Sequence, residues 1–403
     1  MKILFPQDPL AAVTHPDPYP YYADLVANKP IYRDEALGLW VVSNAAMVRA
    51  VLTSDICRVR PLAEPIPRAL LESPAADIFG RLVRMNDGER HASTRQAVQA
   101  SMQSIEARSA VELCNKWART LLDGSQESPF VCDLQDFAFH LPVYVIASLL
   151  GVPQEELSHT ALWVSDFVRC LVPTSTPAQL EQGKLAAGHL LDLFRSLLSM
   201  WQAGPASSLL AGLAWEIKRS GGAEEVIVAN GIGFLSQAYE ATAALLGNTV
   251  VALASHPDLR EQVIANPALL RLVIAEVLRY DPPVQNTRRF LVRNGPVAGQ
   301  AMQEGEVILV LLAAASHDPL ANPHPERFDL HRKGRSLFTF GAGSHVCPGK
   351  TLTELIAQAG IEQLLASGVD LVQLAANVSY RPSGNIRLAL LATKEHAALQ
   401  PAH

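Results

Sequence analysis

The loop at residues 340–349 holds a cysteine in a setting that suits metal binding. Cys347 stands in a glycine-rich stretch directly before a segment that predicts a helix over Lys350–Ala366. A thiolate there lies near the N–H groups at the positive end of the helix. That position lowers the pKa of a cysteine and makes it a better metal ligand. Gly343 and Gly349 permit the tight turns that such a loop needs. The alternative is a buried structural cysteine.

Two pairs of charged residues elsewhere have helical spacing. Glu276 and Arg279 are three apart in the apolar segment 268–280, and His91 and Arg95 are four apart. Each pair therefore shares one helix face. Alone, each pattern is more often a solvated surface pair. For Glu276 and Arg279, the apolar surroundings favour a buried pair. Such a pair must be mutually hydrogen-bonded, because an unpaired buried charge costs several kcal/mol.

Taken together, these motifs resemble the cytochrome P-450 family. The pattern F-x-x-G-x-x-x-C-x-G at residues 340–349 resembles the haem-binding loop of that family, and the other motifs follow in family order over nearly the whole chain. The resemblance implies haem b, which is iron protoporphyrin IX, with Cys347 as the thiolate ligand of the iron. It also implies that four residues shape the loop around the cofactor: Phe340, Gly341, Gly343 and Gly349.

Two further groups of residues carry over from the family. Four cationic or donor groups are implied as anchors of the two haem propionates, which suits charge-assisted hydrogen bonding: His91, Arg95, Arg289 and His345. Segment 322–328 resembles the P-x-R-F segment of the family. It implies a structural triad beneath the haem: Glu276, Arg279 and Arg327.

The implied fold is mainly α-helical with small β-sheets, and it holds the haem between a long central helix and the cysteine loop. No linker or repeat divides the chain, so we expect a single haem-binding domain over residues 1–403. The most apolar stretch, 223–255, carries several polar residues and predicts a long buried helix that ends at His256 and Pro257. Helices are predicted at 21–28, 48–52, 107–122, 182–200 and 259–265, and strands at 39–42, 307–311 and 387–391.

The central helix departs from the family pattern A-G-x-[D/E]-T at the site of oxygen activation. Glu240 keeps the acid that relays protons, Ala238 replaces the glycine beside the haem, and Ala241 replaces the threonine. Thr242 is one residue further, about 100° round the helix, so it replaces that threonine only after a local distortion. The alternatives are a substrate hydroxyl or ordered water that assists oxygenation, direct use of peroxide, oxidative coupling, or a role for Thr242.

Pro348 follows the cysteine and has no N–H group. It therefore removes one backbone donor that could bond to the Cys347 sulfur, and fewer such bonds leave more electron density on the thiolate. The alternative is that Pro348 only begins the helix, a position that proline favours.

Segments implied to contact substrate lie far apart in the chain, and one of them is residues 61–83. They predict a mostly apolar pocket with a few orienting polar groups for a medium-sized organic molecule, in keeping with secondary metabolism. The residues we single out are Phe234, Gln237, Val284, Asn286 and Ile386. Free and carrier-tethered substrates both remain open.

Composition restricts the partners. The net charge of −6 gives no argument for nucleic acid, and five scattered cysteines without a pairing or zinc pattern fit the reducing cytoplasm. Residues 1–9 hold no long apolar run, so we expect neither a signal peptide nor a membrane anchor. No Gly-rich dinucleotide loop is present, so the resemblance implies electrons from NAD(P)H through an external ferredoxin and ferredoxin reductase.

The function implied is a monooxygenase that inserts one oxygen atom from O2 into its substrate. Alternatives built on the same site are a peroxide-driven enzyme and an oxidative-coupling enzyme. From a different class, a haem-binding sensor without turnover remains open, although Glu240 and the pocket-forming segments favour catalysis.

Overall fold

Helices form most of the computed structural model, which describes residues 5–123, 134–200 and 208–391. In chain order the α-helices are α1 (Tyr19–Asn28), α2 (Ala45–Thr53), α3 (Pro74–Arg81), α4 (Gly88–Gln103), α5 (Ala107–Leu122), α6 (Leu134–Leu150), α7 (Leu157–Cys170), α8 (Pro177–Ser199), α9 (Leu209–Arg219), α10 (Glu224–Ser255), α11 (Pro257–Ala265), α12 (Leu270–Tyr280), α13 (Leu312–Ser316), α14 (Lys350–Ala366) and α15 (Leu371–Ala375).

Within the described residues the strands are short and form three small sheets. They are β1 (Ile31–Asp34), β2 (Leu39–Val42), β3 (Cys57–Arg58), β4 (Asn286–Leu291), β5 (Gly295–Val297), β6 (Gln300–Met302), β7 (Val307–Leu311), β8 (Ser379–Tyr380) and β9 (Ala389–Leu390). The largest sheet has the order β1-β2-β7-β4-β3, in which only β2 and β7 run parallel. Strand β7 is almost wholly buried, as its unbroken Val-Ile-Leu-Val-Leu sequence predicts. The mainly α fold with small sheets is confirmed.

Helix α10 is the central element of the core. It has 32 residues, which makes it about 48 Å long, and it is buried over most of its length. Small residues let its neighbours come close: a Cβ on Gly231 would lie 2.8 Å from the Phe194 ring. The helix ends at His256, before the proline at which α11 begins.

Helix α14 packs against α10 and so sets the position of the loop before it. A Cβ on Gly360 would lie 2.7 Å from Leu246 on α10 and 2.9 Å from Leu141 on α6, so only glycine permits this approach. The cysteine loop is thereby held at a fixed distance from the central helix.

Most predicted elements agree with the structure. The bounds of α5, α14, β2 and β7 are those expected, whereas α8 begins five residues before the predicted position 182. The earlier start follows from a capping box in which Thr176 and Gln179 bond to each other's backbone N–H groups. At the chain's end, the predicted strand 387–391 is only Ala389–Leu390.

Two further expectations concern membrane and redox environment. Within the described ranges, no helix is long and apolar enough to cross a membrane. Four of the five cysteines lie in those ranges, and all four are free thiols: Cys57, Cys114, Cys170 and Cys347. The fifth, Cys132, lies outside the described residues, as do residues 1–4 of the N-terminal segment. The single-domain interpretation stays a prediction.

Candidate functional site

A cavity of about 320 Å³ lies between α10 and the loop that carries Cys347. On one side it is bordered by Phe340, Gly341, His345, Cys347 and Gly349. On the other it is bordered by Phe234, Gln237, Ala238, Ala241 and Thr242. The structure therefore brings the cysteine loop and the central helix to opposite walls of one cavity.

Backbone hydrogen bonds fold the cysteine loop back on itself. The Cys347 N–H donates to the Phe340 carbonyl over 2.8 Å, and the Gly341 N–H donates to the Phe338 carbonyl over 2.8 Å. Gly341 and Gly343 have φ of 72° and 70°, in the left-handed region that glycine adopts without strain. Gly343 does not border the cavity. It packs against α2, where a Cβ would lie 3.0 Å from the Leu52 carbonyl oxygen.

The expected lowering of the Cys347 pKa is wrong for the free thiol. Burial raises the pKa of Cys347, and this effect outweighs the Gly349 N–H and the Arg95 charge, which both lower it. Desolvation disfavours the charged form of any thiol, and a helix terminus alone does not compensate for it here. Cys347 would lose its proton on coordinating a metal cation, which would supply the missing stabilisation of the thiolate.

Four predicted anchors border the same cavity: His91, Arg95, Arg289 and His345. The His91 and His345 rings lie 4.1 Å apart, and His345 Nε2 lies 3.1 Å from Asp87 Oδ1. Burial, then the His345 and Arg95 charges, lower the pKa of His91 to about 4. His91 is therefore neutral at pH 7 in this arrangement and serves as a hydrogen-bonding group.

Two of these cations have no carboxylate partner. Arg95 donates to the Val346 carbonyl, and Arg289 donates to the Arg288 carbonyl over 2.8 Å. Within residues 5–123, 134–200 and 208–391, no carboxylate lies within 4.0 Å of either guanidinium. Two arginines without a carboxylate partner border the same cavity as Cys347, and this set fits a cofactor with two carboxylates and a thiolate-bound metal, which describes haem.

The Glu276 cluster corrects one predicted residue. Glu276 and Arg279 are fully buried, and Arg279 Nε donates to Glu276 Oε1 over 2.9 Å, as expected. The side chain of Arg327 is instead 71% exposed and lies near Glu326. The third member is Arg332, whose Nε is 3.2 Å from Glu276 Oε1.

A fourth member completes the cluster, since Arg335 Nε is 2.7 Å from Glu276 Oε2. Arg327 contributes only its carbonyl, which accepts from Arg279 Nη2 over 2.8 Å. The backbone at residue 327 thus turns its carbonyl inward and its side chain to solvent. The sequence offered several arginines between 327 and 335 without showing which of them point inward.

Helix α10 runs without interruption through the expected oxygen-activation site. Ala241 and Thr242 both border the cavity, although we expected Thr242 to need a helix distortion. The Thr242 hydroxyl is buried and has no hydrogen-bond partner in the described structure. Thr249, by contrast, donates to the Leu245 carbonyl over 2.7 Å. Glu240 does not border the cavity, because its carboxylate pairs with Arg381.

Three of the five predicted substrate contacts border the cavity and two do not. Phe234, Gln237 and Val284 border the cavity, whereas Asn286 and Ile386 do not. The Asn286 side chain donates to the Gly384 carbonyl over 2.8 Å, and Ile386 packs into the main hydrophobic core. Both side chains are therefore occupied by contacts within the protein.

One cavity residue, Arg84, belongs to no motif identified in the sequence. Arg84 borders the cavity from the short 3-10 turn Val83–Met85. Its position just beyond the predicted substrate segment 61–83 is the single feature that could have suggested it.

Comparisons with known proteins agree with this geometry. The sequence model of the family described as "Cytochrome P450" matches residues 210–367. The chain is 30% identical over 383 residues to "Vitamin D(3) 25-hydroxylase" of Pseudonocardia autotrophica, with 92% of each chain covered. It is 27% identical over 369 residues to "Biotin biosynthesis cytochrome P450" of Bacillus subtilis (strain 168), with 91% of this chain and 93% of that protein covered.

A solved structure has the same overall fold. It is described as P450BioI in complex with hexadec-9Z-enoic acid ligated acyl carrier protein. It matches with a TM-score of 0.78 at 26% identity, covering 93% of this chain and 97% of that chain.

Proposed function

The chain belongs to the cytochrome P-450 family and is a haem-thiolate monooxygenase, and we propose that it oxidises a medium-sized organic substrate in the cavity between α10 and Cys347. Haem b, when bound, supplies the iron at which O2 is activated, with electrons from NAD(P)H through redox partners. The observation that carries the proposal is the presence of Cys347, two unpaired arginines and Thr242 around one cavity.

Each residue has a defined task in this proposal. The Cys347 sulfur holds the metal, and the Gly349 N–H bonds to that sulfur. Arg95 and Arg289, with His91 and His345, hold the two propionates at the cavity wall.

Proton supply differs from the family pattern because residue 241 is alanine. We assign it to a hydroxyl of the substrate or to an ordered water, held by the Thr242 hydroxyl that lacks a protein partner. A buried hydroxyl without a partner costs about 1–3 kcal/mol, so a group that bonds to it is favoured there. Glu240, which is partly exposed beside Arg381, connects this position with solvent.

The partners we propose are a ferredoxin and its reductase, which dock on the cysteine side of the haem. A carrier protein is a further candidate, because one structural relative is described in complex with an acyl carrier protein. We propose that the protein is located in the cytoplasm, because the four described cysteines are free thiols.

The first test is the CO spectrum of the reduced, haem-loaded protein. The wild type is expected to give the red-shifted band typical of a thiolate ligand. A Cys347→His variant is expected to keep haem but give the band of a nitrogen ligand. A wild-type spectrum like that of Cys347→His would contradict the proposal.

The second test concerns the alcohol missing at residue 241. A ferric absorbance titration against amino-acid-derived, terpenoid, polyketide and fatty-acid compounds first identifies a ligand that shifts the spin state. With that substrate, Ala241→Thr is expected to retain turnover. Thr242→Val, which keeps the shape but removes the hydroxyl, is expected to lower the product formed per NADPH by about 10-fold or more. Unchanged coupling in Thr242→Val would refute the role of Thr242.

A second candidate function is peroxide-driven oxidation, which the alanine at residue 241 favours. It is tested by comparing product yield from peroxide with yield from NADPH and a ferredoxin system. A greater yield from peroxide would establish this candidate in place of the O2-dependent reaction.

A further inference from the structure

Arg84 enters the cavity from a turn that is tied to the central helix. The Val83 N–H donates to Asn230 Oδ1 over 2.8 Å, and Asn230 Nδ2 donates to the Arg81 carbonyl over 3.0 Å. Behind the turn, a Cβ on Gly233 would lie 2.9 Å from Leu82. The backbone that carries Arg84 is therefore fixed against α10.

The Arg84 guanidinium has no partner in the described structure. Within the described ranges, no carboxylate lies within 4.0 Å of it and no hydrogen bond joins it to another group. By surface area Arg84 is exposed, yet protein encloses it, because the space that it borders is the cavity. Burial accordingly lowers the pKa of Arg84, while Glu240 acts in the opposite direction. An enclosed charge without a counter-ion is unfavourable, so a ligand that supplies a negative charge is favoured at this position.

Arg84 is separate from the group assigned to the propionates. The charge that acts on Arg84 is Glu240 of α10. The charges that act on His91 are His345, Arg95 and Asp87, and the charges that act on Arg289 are Asp87 and Cys57. Because the turn that carries Arg84 is bound to Asn230 of α10, Arg84 lies on the α10 side of the cavity, where the proposed function places the substrate.

We propose that Arg84 binds a carboxylate of the substrate, so that the enzyme acts on free organic acids. The inference rests on the proposed function and narrows it to a substrate class. A carboxylate forms paired N–H···O bonds with a guanidinium, and these are stronger than neutral hydrogen bonds. The neighbouring walls include Val83, Phe234 and Ala241, which fit an apolar body attached to the acid.

Probes that bind the iron directly can test this without knowledge of the natural substrate. We would use ω-(imidazol-1-yl)alkanoic acids of increasing chain length, each beside its methyl ester, and titrate them into the ferric haem-loaded protein. The imidazole fixes one end at the iron, and the ratio of the ester Kd to the acid Kd reports on the other end.

In the wild type, at least one acid is expected to bind about 10-fold or more tightly than its ester. Arg84→Gln is expected to bring this ratio to about one without changing the ester Kd, and Arg84→Lys to retain part of it. The matched control is Arg81→Gln, which removes an equal charge from the same segment. Arg81 pairs with Asp77 over 3.0 Å on α3, so its loss should leave the ratio unchanged.

Two results would overturn the inference while leaving the proposed function intact. One is equal binding of acid and ester at every chain length in the wild type. The other is a preference for the acid that persists in Arg84→Gln. Absence of any spectral shift with acid and ester alike would also overturn the inference, whereas the CO spectrum of the same sample reports separately on the haem ligand Cys347.

Discussion

Replacement of Arg332 by alanine should destabilise the protein far more than replacement of Arg327. Arg332 is 5% exposed at its side chain, and its Nε lies 3.2 Å from Glu276 Oε1. Its two other nitrogens donate to the carbonyls of Pro323, His324 and Arg327. Arg332 thus joins the buried carboxylate to the turn around residues 323–327.

The expected loss follows from these contacts. Removal of one partner of a buried ion pair typically costs about 3–5 kcal/mol. Glu276 keeps Arg279 and Arg335, so it is not left unpaired, and we expect about 3 kcal/mol for Arg332→Ala. Arg327→Ala removes an exposed side chain but leaves the inward carbonyl in place, so we expect a change within about 0.5 kcal/mol.

The assay is urea unfolding of both variants and the wild type, followed by tryptophan fluorescence and by the haem absorbance band. Arg332→Lys is the matched control, because it keeps the charge but cannot reach three carbonyls at once. It should fall between wild type and Arg332→Ala. Equal unfolding midpoints for Arg327→Ala and Arg332→Ala would refute the assignment of the third member of the cluster.

Two further predictions concern protonation and the cysteine sulfur. His317 is buried, donates from Nε2 to the Tyr280 carbonyl, and has its pKa lowered to about 3, chiefly by burial, from the ordinary 6.5. His317 is therefore neutral in the folded protein and takes up a proton only on unfolding. The free energy of unfolding that is present above pH 6.5 is consequently lost as the pH falls below that value. Between pH 7 and pH 5 the wild type should lose about 2 kcal/mol more than His317→Asn in urea unfolding, whereas exposed His331→Asn should follow the wild type. Pro348→Leu adds an N–H group that can donate to the Cys347 sulfur, and such a hydrogen bond is worth about 1 kcal/mol. Spectroelectrochemistry should therefore show a haem reduction potential raised by about 40 mV. A lower potential in the variant would contradict the proposal that Pro348 leaves more electron density on the sulfur.

Periodicity and glycine placement predicted the elements that bring the site together. Helix α5 and helix α14 agree with their predicted bounds because long apolar repeats and a glycine-rich start define them. The four anchors border the cavity with Cys347. They could be predicted because their spacing matched the pattern of a family whose fold was known. Several motifs in the order that the family shows thus indicated which distant residues lie together, which the local pattern of one segment cannot indicate.

Three parts of the site depended on side-chain direction or burial, which spacing does not give. Arg327 and Arg332 are equally basic in sequence, and only the course of the backbone shows which of them faces Glu276. The pKa of Cys347 is raised because enclosure outweighs the helix terminus. Arg84 belongs to no motif at all, and its significance follows only from the cavity that it borders and the partner that it lacks.

The bonds of Asn230 to the turn at residues 81–83 have a consequence for where a substrate is oxidised. They tie the turn to α10, so the backbone positions of Arg84 and Thr242 keep a constant separation. Together, these two positions would set the distance from the bound carboxylate to the carbon that is oxidised. Acids of different length held at Arg84 would be oxidised at the same number of carbons from the carboxylate, with the surplus chain directed elsewhere in the cavity.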